Sequence, residues 1–272
     1  MLPSPGPDAA VLVTGASSGI GAAIARELAR RGHPTLLVAR RGDALADLAA
    51  ELRELSGQDA EVHALDLGAD ADLAAARALV EDDRVAGVVN AAGFGVTGRV
   101  AEIADQQDAL DGLVRLNVLA LHSLTVAAVG ALVRRAAADG RPGAILNVSS
   151  ITAFQPLPGA ASYAASKAFV QSFSEAVHTE LSGSGVTLTT VSPGLTRTGF
   201  ADAAGTDAFD RVPDLLVGEA ADVAAAGVAA MVRGDRSVTP GLLNQLSALG
   251  GRLAPRTLLL PALDAGMDLY GA

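Results

Sequence analysis

The chain alternates short, mostly apolar runs with longer segments whose apolar residues recur every three or four positions. The runs at 10–13, 34–39, 61–65, 87–89, 144–148, 186–191 and 237–239 are rich in valine, leucine and alanine. Such patterning predicts strands covered on both faces, as in a parallel sheet. Between them, 20–31, 44–55, 71–80, 106–137, 161–182 and 220–232 carry helical spacing. Seven strands interleaved with helices predict an α/β fold with a doubly wound parallel sheet. Two stretches break the rhythm. Residues 195–218 hold glycines, prolines and scattered aromatics, and residues 241–272 form an apolar tail. Both are expected to cover a site rather than build the sheet.

Composition narrows the function classes. Half of the 272 residues are apolar and 18% are charged, enough for a large buried core and too few charges for a disordered chain. The length favours one domain over two. A formal charge of −10 argues against nucleic acid or an anionic membrane as the main partner. Without cysteine there is neither a disulfide frame nor a thiolate metal site. His33, His63, His122 and His178 are scattered without a second ligand at metal-binding spacing, so no metal is assigned. Residues 1–8 are proline-rich and lack a cationic start followed by an apolar stretch; they read as a flexible tail, not an export signal. The most apolar stretch, 113–133, contains Arg115, Asn117 and His122, which fits an interior helix better than a membrane span. A soluble, cytoplasmic protein with no transmembrane segment is expected.

Directly after the first strand comes Thr14-Gly15-Ala16-Ser17-Ser18-Gly19-Ile20-Gly21, within which a helix begins. Glycines permit a tight turn and close approach of a ligand to the backbone, and the helix N-terminus offers free amides to a pyrophosphate. The same residues also fit a plain turn with Ser17 or Ser18 as helix cap. Arg40 and Arg41 stand at the end of the second strand, where an acidic residue would bind a ribose 2′-hydroxyl and arginine accommodates a 2′-phosphate. This favours NADP over NAD, although a solvated arginine pair fits as well. Asp66, next to Leu67 after the third strand, could accept from an adenine amino group or cap a helix. Asn90-Ala91-Ala92-Gly93 places small residues where a nucleoside would lie.

The fifth strand leads into Ser149-Ser150, and Tyr163 follows thirteen residues after Ser150. Lys167, four further on and the only lysine in the chain, shares a helical face with it. A cation beside a phenol favours the phenolate, so the lysine is expected to lower the tyrosine pKa. A phenol so tuned suits proton exchange with a carbonyl or alcohol oxygen.

Taken in order, Thr14-Gly15-x-x-x-Gly19-Ile20-Gly21, Asn90-Ala91-Ala92-Gly93, Asn117, Ser150, Tyr163-x-x-x-Lys167 and Pro193-Gly194 resemble the compact, single-domain branch of the short-chain dehydrogenase/reductase family. Ala91 departs from the family's more frequent second asparagine. The resemblance covers about residues 8–240. It implies a Rossmann-type domain over 9–240, with 241–272 packing on it as a C-terminal extension. It further implies Tyr163 as general acid/base, Lys167 as its pKa modifier and ribose ligand, and Ser150 as the donor that fixes the substrate carbonyl. Asn117 would hold a water linking Lys167 to solvent; a buried asparagine satisfied by backbone is the plainer alternative. Pro193 and Gly194 would border the nicotinamide, with Thr196 and Thr198 near its carboxamide and the phosphates.

The expected activity is NADP-dependent interconversion of a carbonyl and an alcohol. A non-catalytic nucleotide sensor or scaffold on the same fold is the alternative. Phe94, Gln155, Leu157, Phe200 and Phe209 form a candidate substrate wall that favours an uncharged ketone or aldehyde, though core packing accounts for any one of them. The helices at 106–137 and 161–182 commonly pair in relatives, so a homodimer or homotetramer is expected.

Overall fold

The structure, a computed structural model, describes residues 1–198 and 217–270, with side chains up to residue 266. Seven strands form one parallel sheet: β1 (Ala10–Thr14), β2 (Thr35–Ala39), β3 (Ala60–Ala64), β4 (Val85–Asn90), β5 (Gly143–Val148), β6 (Val186–Val191) and β9 (Ser237–Val238). Their order is β3-β2-β1-β4-β5-β6-β9. Each lies within two residues of a predicted run. Two further strands of two residues each, β7 (Thr196–Arg197) and β8 (Gly218–Glu219), pair separately and were too short to leave a period in the sequence.

Alternation along the strands feeds two cores. On one face Val11, Val13, Leu37, Val89 and Leu146 meet α1 (Gly19–Arg30) and α2 (Gly42–Ser56). Helix α7 (Ala220–Arg233) adds Val223, Val228 and Met231 to that core. On the other face Leu12, Leu36, Val88, Ile145 and Leu188 meet α3 (Asp70–Val80) and α5 (Leu121–Asp139). Helix α4 (Gln107–Val114) leads into α5, and α6 (Ala161–Glu180) lies beside both. The strand order reverses between β1 and β4, which opens a crevice beyond the carboxyl ends of these strands.

Two local features differ from the sequence expectation. The helix predicted at 106–137 is broken by a π-helical turn, Arg115–Ala120, between α4 and α5. Such a turn re-aims side chains at a functional site, and here it carries Asn117. The whole span Ala104–Asp139 is long and apolar enough to cross a membrane, yet Leu113, Ala120, Leu124, Ala128 and Leu132 are buried against the sheet or neighbouring helices. At the N-terminus, where a flexible tail was predicted, Leu2 is 6% exposed in the first core. A Cβ at Gly87 would lie 2.9 Å from Leu2, and the Met1 amine donates to Thr187 Oγ1 at 2.8 Å. Burial of one leucine contributes about 2 kcal/mol, enough to hold this segment down.

The apolar extension forms α8 (Leu242–Leu253) and α9 (Arg256–Tyr270). Helix α8 rests on the short 3-10 turn Ile151–Phe154 that follows Ser150, with Arg252 stacked 4.3 Å over the Phe154 ring. Asp264 of α9 pairs with Arg99 at 2.9 Å.

Candidate active site

The crevice is built at one end by the glycine turn. Gly15 adopts φ +67°, and a Cβ there would fall 2.8 Å from Ala92 Cα, so only glycine lets the turn lie on Ala91 and Ala92. A Cβ at Gly21 would collide with the Gly15 carbonyl. The Ser18 side chain does not cap α1. Instead Ser18 Oγ accepts from Arg41 at 2.7 Å, and Ser17 Oγ accepts from the same guanidinium at 3.0 Å. The helix-cap alternative therefore does not hold, and among the described residues the amides of Gly19, Ile20 and Gly21 open the helix without side-chain partners, as an anion site requires.

Arg41 is thus committed to the turn. Arg40 is exposed and makes no hydrogen bond among the described residues. Asp66 closes a turn onto the Gly68 amide at 2.9 Å and does not cap α3, whose N-cap is Ala69 without a side-chain bond; its second carboxylate oxygen is kept. Leu67 is 4% exposed and belongs to the second core, leaving only its backbone to a ligand. Asn90 departs further from its sequence-based place in the cofactor wall. Its amide donates to Thr125 Oγ1 and Asn147 Oδ1, because a buried carboxamide on this face of β4 must find partners inside the fold.

At the other end, Ser150, Tyr163 and Lys167 converge. Ser150 Oγ accepts the Thr152 amide at 3.2 Å, and its hydroxyl beside the Tyr163 phenol pulls that phenol's pKa down. The Lys167 ammonium lies 5.8 Å from the centre of the Tyr163 ring. Burial pushes the phenol up to about 12, with the Ser150 hydrogen bond pulling the other way. Burial likewise takes Lys167 down to about 8. The expectation that the lysine acidifies the tyrosine is therefore not met in this geometry: Lys167 Nζ donates to the Val148 carbonyl at 3.0 Å, and desolvation dominates both groups.

Asn117 is fully buried. Its carboxamide brackets Phe94, accepting from the amide at 3.1 Å and donating to the carbonyl at 2.9 Å, and it also donates to Ser166 Oγ at 3.2 Å. Both donors are spent, so the backbone-satisfied alternative describes this side chain, and one lone pair is left for a water. Gly93 lies between these groups: a Cβ there would be 2.9 Å from Asn117 Oδ1 and 3.6 Å from Lys167 Nζ.

After β6, the Pro193 carbonyl accepts from the Ile151 amide at 2.9 Å, tying this loop to the residue after Ser150. Thr196 Oγ1 donates to the Gly194 carbonyl at 2.9 Å, which accounts for its side chain. Thr198 reaches across the crevice to the glycine turn, where a Cβ at Gly19 would lie 3.2 Å from Thr198 Cβ. The sequence did not reveal that Asn244 of α8 packs on Gly194, where any side chain would run into its carboxamide. Of the candidate wall, Phe94 and Leu157 are half-buried, and Gln155 lies against α8, 2.8 Å from where a Cβ at Gly251 would stand. Phe200 and Phe209 lie outside the described residues.

Comparison with known proteins agrees with this layout. The short chain dehydrogenase family profile matches residues 9–208. The chain belongs to the short-chain dehydrogenases. Like the other short-chain dehydrogenases, it is an oxidoreductase. The solved short-chain dehydrogenase from Sphingobium yanoikuyae in complex with NADPH is 36% identical, with 93% of this chain and 95% of that chain covered and a TM-score of 0.78. Sulfoacetaldehyde reductase 2 of Chromohalobacter salexigens is 34% identical over 225 residues, 79% of this chain and 84% of the relative. The very-long-chain 3-oxoacyl-CoA reductase of Anas platyrhynchos is 32% identical over 192 residues. That match takes in 70% of this short-chain dehydrogenase and 60% of the relative's length.

Proposed function

We propose that the protein is an NADP-dependent oxidoreductase that interconverts a carbonyl and an alcohol, with Tyr163 as the general acid/base. The observation that carries this reading is the convergence of the Ser150 hydroxyl, the Tyr163 phenol and Lys167 at the end of a crevice whose far side is a helix N-terminus without a side-chain cap. The glycine turn at Gly15, Gly19 and Gly21, with Thr198 opposite, fits a pyrophosphate, and the exposed guanidinium of Arg40, without a partner among the described residues, fits a 2′-phosphate. Backbone at Asp66, Leu67, Asn90, Ala91, Pro193, Gly194 and Thr196 completes the cradle. When bound, the reduced dinucleotide supplies the hydride.

The residues of the chain do the rest. Ser150 donates to the substrate carbonyl and holds it against Tyr163. The buried phenol is neutral at physiological pH, the form that gives a proton to a developing alkoxide. Lys167 holds a ribose hydroxyl and helps balance the phenolate that remains, and Asn117 keeps Phe94 and Gly93 clear of both. Phe94 and Leu157 favour an apolar ketone or aldehyde. Purified protein mixed with NADPH and a panel of such carbonyl compounds should lose the reduced-cofactor absorbance; absence of turnover across the panel would contradict the reading.

Cofactor choice is separately testable. Arg40→Ala is expected to weaken NADPH about 10- to 100-fold and to leave NADH almost unchanged, the loss of one charge-assisted phosphate contact. Equal losses for the two nucleotides in a binding titration would remove the phosphate role. Homodimeric or homotetrameric assembly is supported by Val114, Leu119, Val126 and Phe169, large apolar side chains left exposed on the helices that relatives pair. A cytoplasmic location accords with the burial of Leu113, Ala120, Leu124, Ala128 and Leu132 in the fold's interior.

A further inference from the structure

The proposed chemistry needs Ser150 at the end of β5 and Tyr163 on α6 to meet one oxygen atom, so the spacing of these two elements is critical. Three consecutive residues of the chain there are hydrogen-bonded to α6. Ser149 Oγ donates to the Lys167 carbonyl at 3.0 Å, Lys167 Nζ donates to the Val148 carbonyl at 3.0 Å, and Asn147 Nδ2 donates to Ser174 Oγ at 2.9 Å.

Asn147 is the centre of a larger cluster. Its Oδ1 accepts from Asn90 Nδ2 at 2.9 Å, and Thr125 Oγ1 lies 3.3 Å from its nitrogen and 3.4 Å from its oxygen. Thr125 also accepts from Asn90 at 3.1 Å. Asn147, Thr125 and Ser174 are fully buried. Each member lies close in the chain to a residue of the site: Asn90 three before Gly93, Thr125 eight after Asn117, Asn147 three before Ser150, and Ser174 seven after Lys167 on α6 itself. The leucines and valines around them pack without direction, whereas directional hydrogen bonds between buried side chains restrict how the elements can lie, even though Asn90 Oδ1 has no partner among the described residues.

We propose that Asn147 is a positioning residue: through Ser174 and Thr125 it sets the distance between β5 and α6 and so brings the Ser150 and Tyr163 hydroxyls to bear on the same carbonyl oxygen. The inference rests on the oxidoreductase reading above. Its test is Ser174→Ala, which deletes the α6 contact with little change in volume, beside Ser174→Thr, which keeps the hydroxyl. Ser174→Ala should lower kcat about tenfold with the KM for NADPH nearly unchanged. The pH midpoint of kcat should rise by about half a unit, because a displaced Ser150 no longer pulls the phenol down. Ser174→Thr should restore both.

A crystal structure of Ser174→Ala should show the Ser150–Tyr163 hydroxyl separation lengthened by about 0.5 Å, a readout that needs no turnover. A lowered Tm with kcat, pH profile and separation all unchanged would overturn the proposal. Failure of the parent reading is told apart by Tyr163→Phe: full activity in that variant removes the acid/base role, while the crystallographic separation still decides whether Asn147 positions β5 on α6.

Discussion

Tyr163→Phe is expected to reduce kcat for ketone reduction by about 10²- to 10⁴-fold, the range for removal of a positioned proton donor. The substitution deletes one oxygen and keeps the ring 5.8 Å from the lysine ammonium. NADPH affinity, read by fluorescence titration, should stay within a few-fold, because the glycine turn and Arg40 are untouched. Ser150 loses its phenolic partner but keeps the Thr152 amide, so its orientation survives. Residual activity would come from carbonyl polarisation by Ser150 alone. Wild-type rates in this variant would mean that the proton comes from elsewhere.

Lys167→Met should abolish turnover to a similar degree and at the same time stabilise the cofactor-free protein. The lysine is 6% exposed, and burial lowers it from 10.5 to about 8. Its folded pKa is depressed, so its contribution to stability is present in full above pH 10.5 and is lost as pH falls through about 8. At neutral pH the buried ammonium therefore costs about 3 kcal/mol relative to the neutral form. Methionine removes that cost and fills the same space, while the Val148 carbonyl loses a donor at a cost of about 1 kcal/mol. Urea unfolding should show the variant more stable by about 1–2 kcal/mol at pH 6.5, with the advantage gone by pH 10. A variant less stable at both pH values would show that the ammonium is paired in a way this structure lacks.

The residues themselves explain which features were legible in sequence. The strands were, because a sheet buried on both faces demands runs such as Val11-Leu12-Val13 and Ile145-Leu146, and no other element tolerates them so briefly. Tyr163 and Lys167 were, because four residues make one helical turn. The direction of the pKa effect was not: spacing placed the ammonium near the phenol but could not show that Nζ turns to the Val148 carbonyl or that the cleft desolvates both. Arg40 and Arg41 are adjacent in sequence yet differ in availability, since only Arg41 bends back over Ser17 and Ser18. The role of Asn147, inside the run 144–148, was not legible, because it depends on Thr125 and Ser174, which come from helices on either side in the chain. Leu2 was hidden among prolines and glycines that carry no period.

A crystal structure of the protein with NADPH and a bound apolar ketone tests the central claim most directly. The account places the dinucleotide phosphates on the amides after Gly15 and the ketone oxygen about 3 Å from both Ser150 Oγ and the Tyr163 hydroxyl. A dinucleotide bound away from the glycine turn, or a carbonyl that points away from Tyr163, would contradict it.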